Sequence, residues 1–599
     1  MTRKRSIHNN APRYRVLLAC VQALLIPAWG CSPQQQPNVA VSEDSAVVRA
    51  IPSVQLSRAS AKKTDSIRFA VVTKQAGVDF TYYGGPSPEH YMTEQNGGGV
   101  GLLDFDGDGQ LDIFFANGSH FMRSAEQAGA THQLYRAVGQ LAYVEVSGVA
   151  GVDEFGFGMG CASGDYDNDG FVDLFLTQYG KNRLWHNNGD GTFSEVAASA
   201  GVMDDRWGTS AAFADLDGDG NLDLYVVNYV EWSPDDPPCY TQHQTPIQIS
   251  CGPIGRAGLP DVLYHNIGDG TFRDVSHTAG IVRPDSKGLG LAIADFDDDG
   301  RLDIYVANDT TENFLFLNLG GMQFEEDGIS NGVAVGSEGL AHSGMGVACG
   351  DMNNDGRFDL LVTNFDNEVN DLYQNLGPTG FLSVNQTFGL DPISRPMLGF
   401  GVVFSDFDSD GFLDLFVANG HVWDLTVLEM RYAYEMPPQV IRNIDAERFA
   451  DVSASAGSYF QQLRLGRGVA VGDLDGDGDE DLVVTHIEAP AELLRNDSER
   501  LNATCRLRLV GTSSSRQPLG CHVEVVIGGH VRTYWVPSGG SFQSASDTQF
   551  VIVTGQADMI DEVTIQWPGQ RRETWWGIRV ESSMTLIQGT GLPEAGTRP

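Results

Sequence analysis

The chain is short of basic residues: 38 Lys and Arg stand against 79 Asp and Glu, a net charge of −41 over 599 residues. No run of Lys and Arg is dense enough to make a basic face, which argues against nucleic acid as a partner, because phosphate recognition rests on clustered cations. Catalytic signatures are missing as well. There is no nucleophile elbow, no His-Glu-x-x-His and no phosphate-cradling Gly-Lys loop. After residue 30 no apolar stretch approaches a bilayer span. Even so, 41% apolar and 10% aromatic residues exclude a disordered acidic tail, and the length provides for more than one packed domain.

What the chain has is aspartate at fixed intervals. Asp104-Phe-Asp106-Gly-Asp108-Gly109-Gln110-Leu111-Asp112 is a nine-residue cradle that recurs seven times. Its carboxylates stand at positions 1, 3, 5 and 9, with Gly at 6. The other cradles use Asp165, Asp167, Asp169 and Asp173; Asp215, Asp217, Asp219 and Asp223; Asp295, Asp297, Asp299 and Asp303; Asp351, Asn353, Asp355 and Asp359; Asp406, Asp408, Asp410 and Asp414; and Asp473, Asp475, Asp477 and Asp481. An oxygen-only ligand set of this density suits a hard cation such as Ca²⁺. The backbone carbonyl at position 7 (Gln110, Phe171, Asn221, Arg301, Arg357, Phe412, Asp479) would add a neutral ligand. Glycine at position 6 permits the sharp reversal that turns alternate side chains onto one ion. A lone Asp-Gly turn is ordinarily a solvated loop; seven in-phase copies are not.

EF-hands are excluded, since position 12 holds Phe115, Leu176, Val226, Val306, Val362, Val417 and Val484 where a bidentate Glu is required. Each cradle runs instead into a short aromatic and β-branched stretch, such as Leu111-Asp-Ile-Phe-Phe-Ala116, and follows a small-residue apolar one. The cradle is therefore expected at the turn of a β-hairpin. Cradle starts lie 61, 50, 80, 56, 55 and 67 residues apart, room for a four-stranded propeller blade each. Two further segments recur between cradles, one like Asn182-Arg-Leu-Trp-His-Asn187 and one like Thr192-Phe-Ser-Glu-Val196. The second segment falls near Phe69, Tyr143, Phe193, Phe272, Phe324, Phe381 and Phe449, so its first copy precedes the first cradle. That offset predicts ring closure, with the strand near Phe69 completing the blade begun at Asp473 and no sheet edge left open. The expected fold class is all-β: a seven-bladed β-propeller over 65–498, then a small β-sandwich over 499–590 and a tail from 591 to 599.

The cradles, the Phe-x-x-Val…Ala-Gly-Val segments and Gly344-Met-Gly-Val-Ala-Cys-Gly-Asp351 resemble FG-GAP/VCBS repeats, the type found in integrin α-subunit propellers. Asn419-Gly-His-Val-Trp-Asp424 and Gly258-Leu-Pro-Asp-Val-Leu-Tyr264 are similar to bacterial relatives of the cartilage acidic protein family. Ser513-Ser-Ser-Arg-Gln-Pro-Leu-Gly520, Gly539-Gly-Ser-Phe-Gln-Ser544 and Val563-Thr-Ile-Gln-Trp-Pro-Gly569 resemble the ASPIC/UnbV domain, although Cys521 stands where a small residue is expected. The resemblance implies a secreted calcium-binding protein rather than an enzyme class.

The cradles hold 27 carboxylates at positions 1, 3, 5 and 9, and seven Ca²⁺ would lower the net charge to about −27. Calcium is expected to be structural, because four Asp around an empty loop repel one another. At the N-terminus, Arg3, Lys4, Arg5, Arg13 and Arg15 precede the apolar stretch Val16 to Trp29 and then Gly30-Cys31. Residues 1–31 thus read as a signal peptide, of lipoprotein type with Cys31 acylated or of the ordinary secretory type, and 32–64 as a flexible tether. Localisation is expected to be export, to a bacterial envelope or the medium, with the membrane touched only through Cys31. Cys20 leaves with the signal.

Export admits disulfides. Cys239 and Cys251, in the long Pro-rich insert of the third repeat, are expected to pair; Cys505 and Cys521 flank a predicted strand and are a second candidate pair; Cys161 and Cys349 read as buried thiols. After 503 six short antiparallel strands are expected, Cys505–Val510, His522–Ile527, His530–Val536, Gln549–Val553, Glu562–Gln566 and Arg571–Trp576. Trp535, Trp567, Trp575 and Trp576 read as core or propeller-facing before they read as a sugar-stacking surface. His421, Asp424 and His342 could surround a metal or form an acid–base pair, but loop stabilisation is the expected role. The function expected is an exported, calcium-binding, non-catalytic adhesion or ligand-binding module. Its recognition features are 230–260 and 419–445, the cradle rim is presented outward, and the partner is a surface protein or polysaccharide. The alternative is an extracellular hydrolase or lyase acting on polysaccharide or lipid, which would need a deep axial pocket with convergent titratable groups.

Overall fold

Position 9 of each cradle opens a strand and position 1 follows one, so every cradle is the turn between the first two strands of a sheet. The computed structural model describes residues 67–120, 130–241, 246–425, 433–569 and 572–593. The signal segment, the tether and Cys31 lie outside the described residues. Among those described, seven four-stranded antiparallel sheets form. The first comprises Val100–Leu103, Asp112–Phe115, Gln133–Gly139 and Ala142–Glu145, and each later sheet repeats that order. The innermost strands touch in cyclic order from Val100–Leu103 through Phe157–Gly164, Gly208–Ala214, Gly288–Ala294, Val347–Gly350 and Gly399–Ser405 to Gly466–Gly472, which returns to the first. The ring closes as the segment offset requires. Phe69–Val71 is the fourth strand of the last sheet, with Phe69 opposite Asn496 and Val71 opposite Leu494.

Apolar side chains interlock between neighbouring sheets; Phe105, Phe114 and Leu134 of the first pack with Leu174, Trp185 and Phe193 of the second. Asparagine adds a polar stitch. Asn187 Nδ2 donates to Phe105 O at 2.7 Å, Asn266 to Tyr166 O at 2.8 Å and Asn318 to Leu216 O at 2.8 Å. Asn375, Asn443 and Asn496 repeat the bond to Phe296, Met352 and Phe407. The recurring Asn at the end of the third strand therefore ties each of the second to seventh sheets to the one before it, while the first sheet has Ala137 in that place.

The C-terminal region folds as a three-stranded sheet (Phe550–Gly555, Ala503–Val510, Ser583–Ile587) facing a five-stranded one built on His522–Ile527 and Met559–Gln566. Leu507, Ile552 and Leu586 of the first sheet share a core with Val523, Val563 and Ile565 of the second. One expectation fails here. The strand Ser583–Ile587, absent from the sequence reading, pairs parallel with Ala503–Val510, so the domain is not purely antiparallel. Trp567 is fully buried, and Trp535 Nε1 donates to Ile293 O of the ring at 3.0 Å.

A loop of this domain fills the axis of the ring. Ile293 N–H donates to Ser538 O, Val347 N–H to Ser541 O, Cys161 N–H to Gln543 O and Leu102 N–H to Ala545 O; Asp547 N–H donates to Val471 O. Ser538 Oγ donates to Phe213 O, and Phe542 meets Phe400 with ring centres 5.0 Å apart. All seven innermost strands thus contact residues 538–547.

Candidate functional site: seven carboxylate cradles

Glycine at position 6 has φ between 85° and 101° in all seven cradles, the left-handed region that a side chain resists. Position 4 is left-handed too (Gly107, Asn168, Gly218, Asp298, Asn354, Ser409, Gly476), and its Gly, Asn, Asp or Ser identity was a signal the sequence reading passed over. With both residues reversed, the carboxylates converge. Ligand oxygens of Asp104, Asp106 and Asp108 lie within 4.8 Å of one another, as do those of Asp165, Asp167 and Asp169, and of Asp215, Asp217 and Asp223.

The four positions do different work. Position 1 receives the amide of position 6, as from Gly109 to Asp104 at 3.0 Å and from Gly170 to Asp165 at 3.0 Å. Position 9 is buried and accepts two amides. Asp112 takes Phe105 N–H at 3.0 Å and Ala137 N–H at 2.7 Å, and Asp303 takes Phe296 and Asn318 at 2.9 and 2.8 Å. It therefore locks the hairpin to the third strand whatever else it binds. Position 7 turns its N–H onto the carboxylate of position 5, as in Gln110, Phe171, Asn221, Arg301, Arg357, Phe412 and Asp479.

Burial pushes these acids up, and the amide hydrogen bonds only partly oppose it. Asp165, Asp215 and Asp295 rise to about 7, Asp112 to about 8 and Asp173 to about 9. Asp104 Oδ1 and Asp165 Oδ1 are buried without a hydrogen-bond partner. An unsatisfied buried carboxylate oxygen is costly unless a cation or proton meets it, so the donor set fits a hard divalent ion.

Every cradle also carries a basic side chain. Arg136 meets Asp106 at 2.5 Å, His186 meets Asp173 at 3.3 Å and His265 meets Asp223 at 3.1 Å. Arg301 pairs with Asp299, Arg357 with Asp355 at 3.2 Å, Arg442 with Asp408 at 2.7 Å and Arg500 with Asp477 at 2.6 Å. The first three and Arg442 come from the third strand. Where that strand offers Leu317 or Gln374, the cation comes from position 7 instead. The alternation was written in the sequence but needs the register of the third strand to be seen.

The C-terminal domain docks on the cradle rim, while position 5 of five cradles (Asp108, Asp169, Asp219, Asp299 and Asp355) stays exposed. Arg516 N–H donates to Asn168 Oδ1, Thr504 Oγ1 to Gly478 O, Asn502 Nδ2 to Ser409 O, and Gly569 packs on Gly218. Arg506 reaches Asp473 at 3.4 Å. An acidic rim of this charge attracts the arginines of the adjoining domain, a pairing no local motif records.

The described parts of the connections between second and third strands in the third and sixth sheets (229–241, 246–261, 420–425 and 433–438) lie at the other end of the sheets, and there they meet. Trp423 Nε1 donates to Ser250 O at 3.0 Å, and Gln248 Nε2 to Glu89 O at 3.0 Å. The insert is stapled by Cys239–Cys251, as expected. Cys505 and Cys521 are buried free thiols, not a second bridge; Cys505 sits within a strand, and Cys521 Sγ faces Gln566 O. Tyr91 and Tyr179 gather around Trp232 of the insert, with ring centres 5.7 and 5.3 Å from its own. His342 is clamped between Asp371 at 2.8 Å and Glu338 at 3.0 Å, while His421 receives Trp423 N–H at 3.0 Å. The two histidines thus hold separate loops.

The molecule is an all-β protein that carries FG-GAP-like repeats, matched at 165–226, 255–306, 295–362 and 351–417, and an ASPIC and UnbV domain, matched at 511–593. Among named proteins it is similar to cartilage acidic protein 1 of Homo sapiens, 30% identical over 192 residues, and to that of Mus musculus at 29%. The shared region covers 29% of this chain and 28% of the human protein, so the chain spans under a third of that relative. Among solved structures it is similar to an Agrocybe aegerita lectin that recognises non-reducing terminal N-acetylglucosamine, at 16% identity and TM-score 0.35 over 65% of this chain and 86% of that one. A rhamnogalacturonan lyase of Bacillus licheniformis gives 11% and 0.35 over 72% and 75%. Neither bears on what this chain binds.

Proposed function

We propose that this protein is an exported, calcium-binding β-propeller that acts as a non-catalytic adhesion or ligand-binding module. The observation that carries the calcium reading is the convergence of carboxylates around buried, unpartnered oxygens at Asp104 and Asp165. In each cradle the side chains at positions 1, 3 and 5 would hold the ion, and position 9 would hold the hairpin that aims them. The ion would contribute positive charge that lets several carboxylates share one turn.

The non-catalytic reading rests on the axis. The space where a propeller enzyme keeps its pocket is filled by Phe542, packed among Met92, Met159, Trp207, Leu289, Met345, Leu398, Phe400 and Met436. With the C-terminal domain docked on one face, recognition falls to the disulfide-stapled insert, which carries Trp232, and its aromatic neighbours Tyr91 and Trp423. The partner class is a surface protein or polysaccharide. Full chain, with and without calcium, should be screened against surface proteins and glycans; binding that is lost on Trp232→Ala or Trp423→Ala supports the reading. Release of cleaved polysaccharide or lipid by the purified protein would establish the enzyme alternative instead.

A further inference from the structure

Position 8 of the cradle is apolar six times, as Leu111, Val172, Leu222, Leu302, Phe358 and Leu413, and then Glu480 in the seventh. Glu480 lies just before the strand Asp481–His486, and its carboxylate reaches across to the sixth sheet instead of into its own cradle. A compensating change stands across the sheet boundary. The residue before position 1 is Leu, Gly or Ala in the other sheets but Ser405 in the sixth, and its Oγ donates to Glu480 Oε2 at 2.5 Å.

Glu480 lines a cavity of about 130 Å³ between the ring and the C-terminal domain, behind the last three cradles. Asp547, from the axial loop, lines the same cavity. Its Oδ1 accepts Gln549 N–H at 3.0 Å, while Oδ2 is buried with no partner. Ser541 Oγ and Thr533 Oγ1 also line the cavity, also buried and unpartnered. Two basic side chains border it. Arg506 pairs with Asp473 at 3.4 Å and offsets part of the Asp547 charge, while Arg532 lines the cavity, donates to Val553 O at 2.9 Å and lies against Gly411. Two carboxylates, two hydroxyls and room for several waters gather hard oxygen donors within an otherwise largely apolar lining, and one carboxylate oxygen of Asp547 is left without a hydrogen bond.

We propose that Glu480 and Asp547 form an eighth cation site, outside the cradle pattern, which holds a hard divalent ion and ties the C-terminal domain to the ring. Ser541 and Thr533 supply neutral oxygens, and waters complete the shell. The site draws one carboxylate from each domain, so an ion there bridges them.

The test counts ions per full-length chain by native mass spectrometry at fixed free Ca²⁺. Glu480→Leu, which restores the residue type of the other six sheets, and Asp547→Asn should each lose one ion relative to the parent. Asp477→Asn loses a cradle ion and serves as the control for the calcium reading itself. Sensitised Tb³⁺ emission gives a second readout, because Trp535 lines the cavity; Trp535→Phe should remove one component of it, and Glu480→Leu the same component. An unchanged ion count in both carboxylate variants, with Asp477→Asn one ion down, overturns the eighth site and leaves the cradles intact. A parent chain that binds no Ca²⁺ overturns both.

Discussion

Phe542→Ala is the sharpest perturbation of the axial loop. Phe542 is fully buried at the centre of the ring, in a cluster that includes residues from several sheets. Removing such a ring costs about 3–5 kcal/mol, the transfer free energy plus the cavity left behind. The compact unit runs from Lys63 to Pro599. At about 2.1 cal/mol/K per residue its unfolding entropy is on the order of 1.1 kcal/mol/K, if ring and C-terminal domain unfold together. The loss then lowers the melting midpoint by about 3–5 °C. Differential scanning calorimetry of the full chain in calcium is the assay, with Val531→Ala, at a half-exposed site, as the control expected to stay within about 1 °C. Two results would refute the reasoning. A Phe542→Ala midpoint as close to the parent as the control's would mean the loop does not hold the axis. Separate transitions for the two domains would mean that docking, not shared folding, joins them.

Chelation with EDTA should lower the midpoint further than any single substitution. At free Ca²⁺ tenfold above each Kd, seven sites supply roughly 10 kcal/mol by linkage, and an unchanged midpoint would sink the idea of structural calcium. In EDTA the stability should fall as pH rises from about 4 to about 8. The buried cradle acids titrate in the folded state at about 7 (Asp165, Asp215, Asp295) and about 8 (Asp112), above their unfolded values, so the folded chain binds the extra protons. Adding Ca²⁺ near pH 6 should release protons, which a pH-stat measures. Asp303→Ala should destabilise even the metal-free protein, because two buried amides lose their acceptor at about 1–3 kcal/mol each, whereas Asp297→Ala should matter only when calcium is present. Urea melts with and without EDTA separate the two.

The blade pattern was legible because it is local. Asp and Gly at fixed offsets dictate a turn, and alternating apolar residues dictate the strands beside it. Even the closing strand at Phe69 was legible, since a segment copied seven times and shifted by one position has only one place to go. What stayed hidden is what one part of the chain does to a distant part. Nothing in Gly539-Gly-Ser-Phe-Gln-Ser544 announces that it will thread a ring, although its glycines and small polar residues are what a backbone pressed against seven strands requires. Gly539 has φ 75°, and a Cβ there would meet Leu291 O at 2.7 Å. That the C-terminal domain docks on the cradle rim was hidden for the same reason, as was the parallel pairing of Ser583–Ile587 with Ala503–Val510.

The strand that completes the ring lies at Phe69–Val71 and its partner at Ala489–Asn496, some four hundred residues later in synthesis. Until the partner is made, the early strand has no edge to join, and until residues 538–547 follow, the hub of the wheel is hollow. A nascent chain of this kind is an aggregation hazard for most of its time on the ribosome, because its long-range pairings all come due at the end. Passage across a membrane as an unfolded thread, with calcium waiting on the far side, would postpone assembly to the moment when every piece is present.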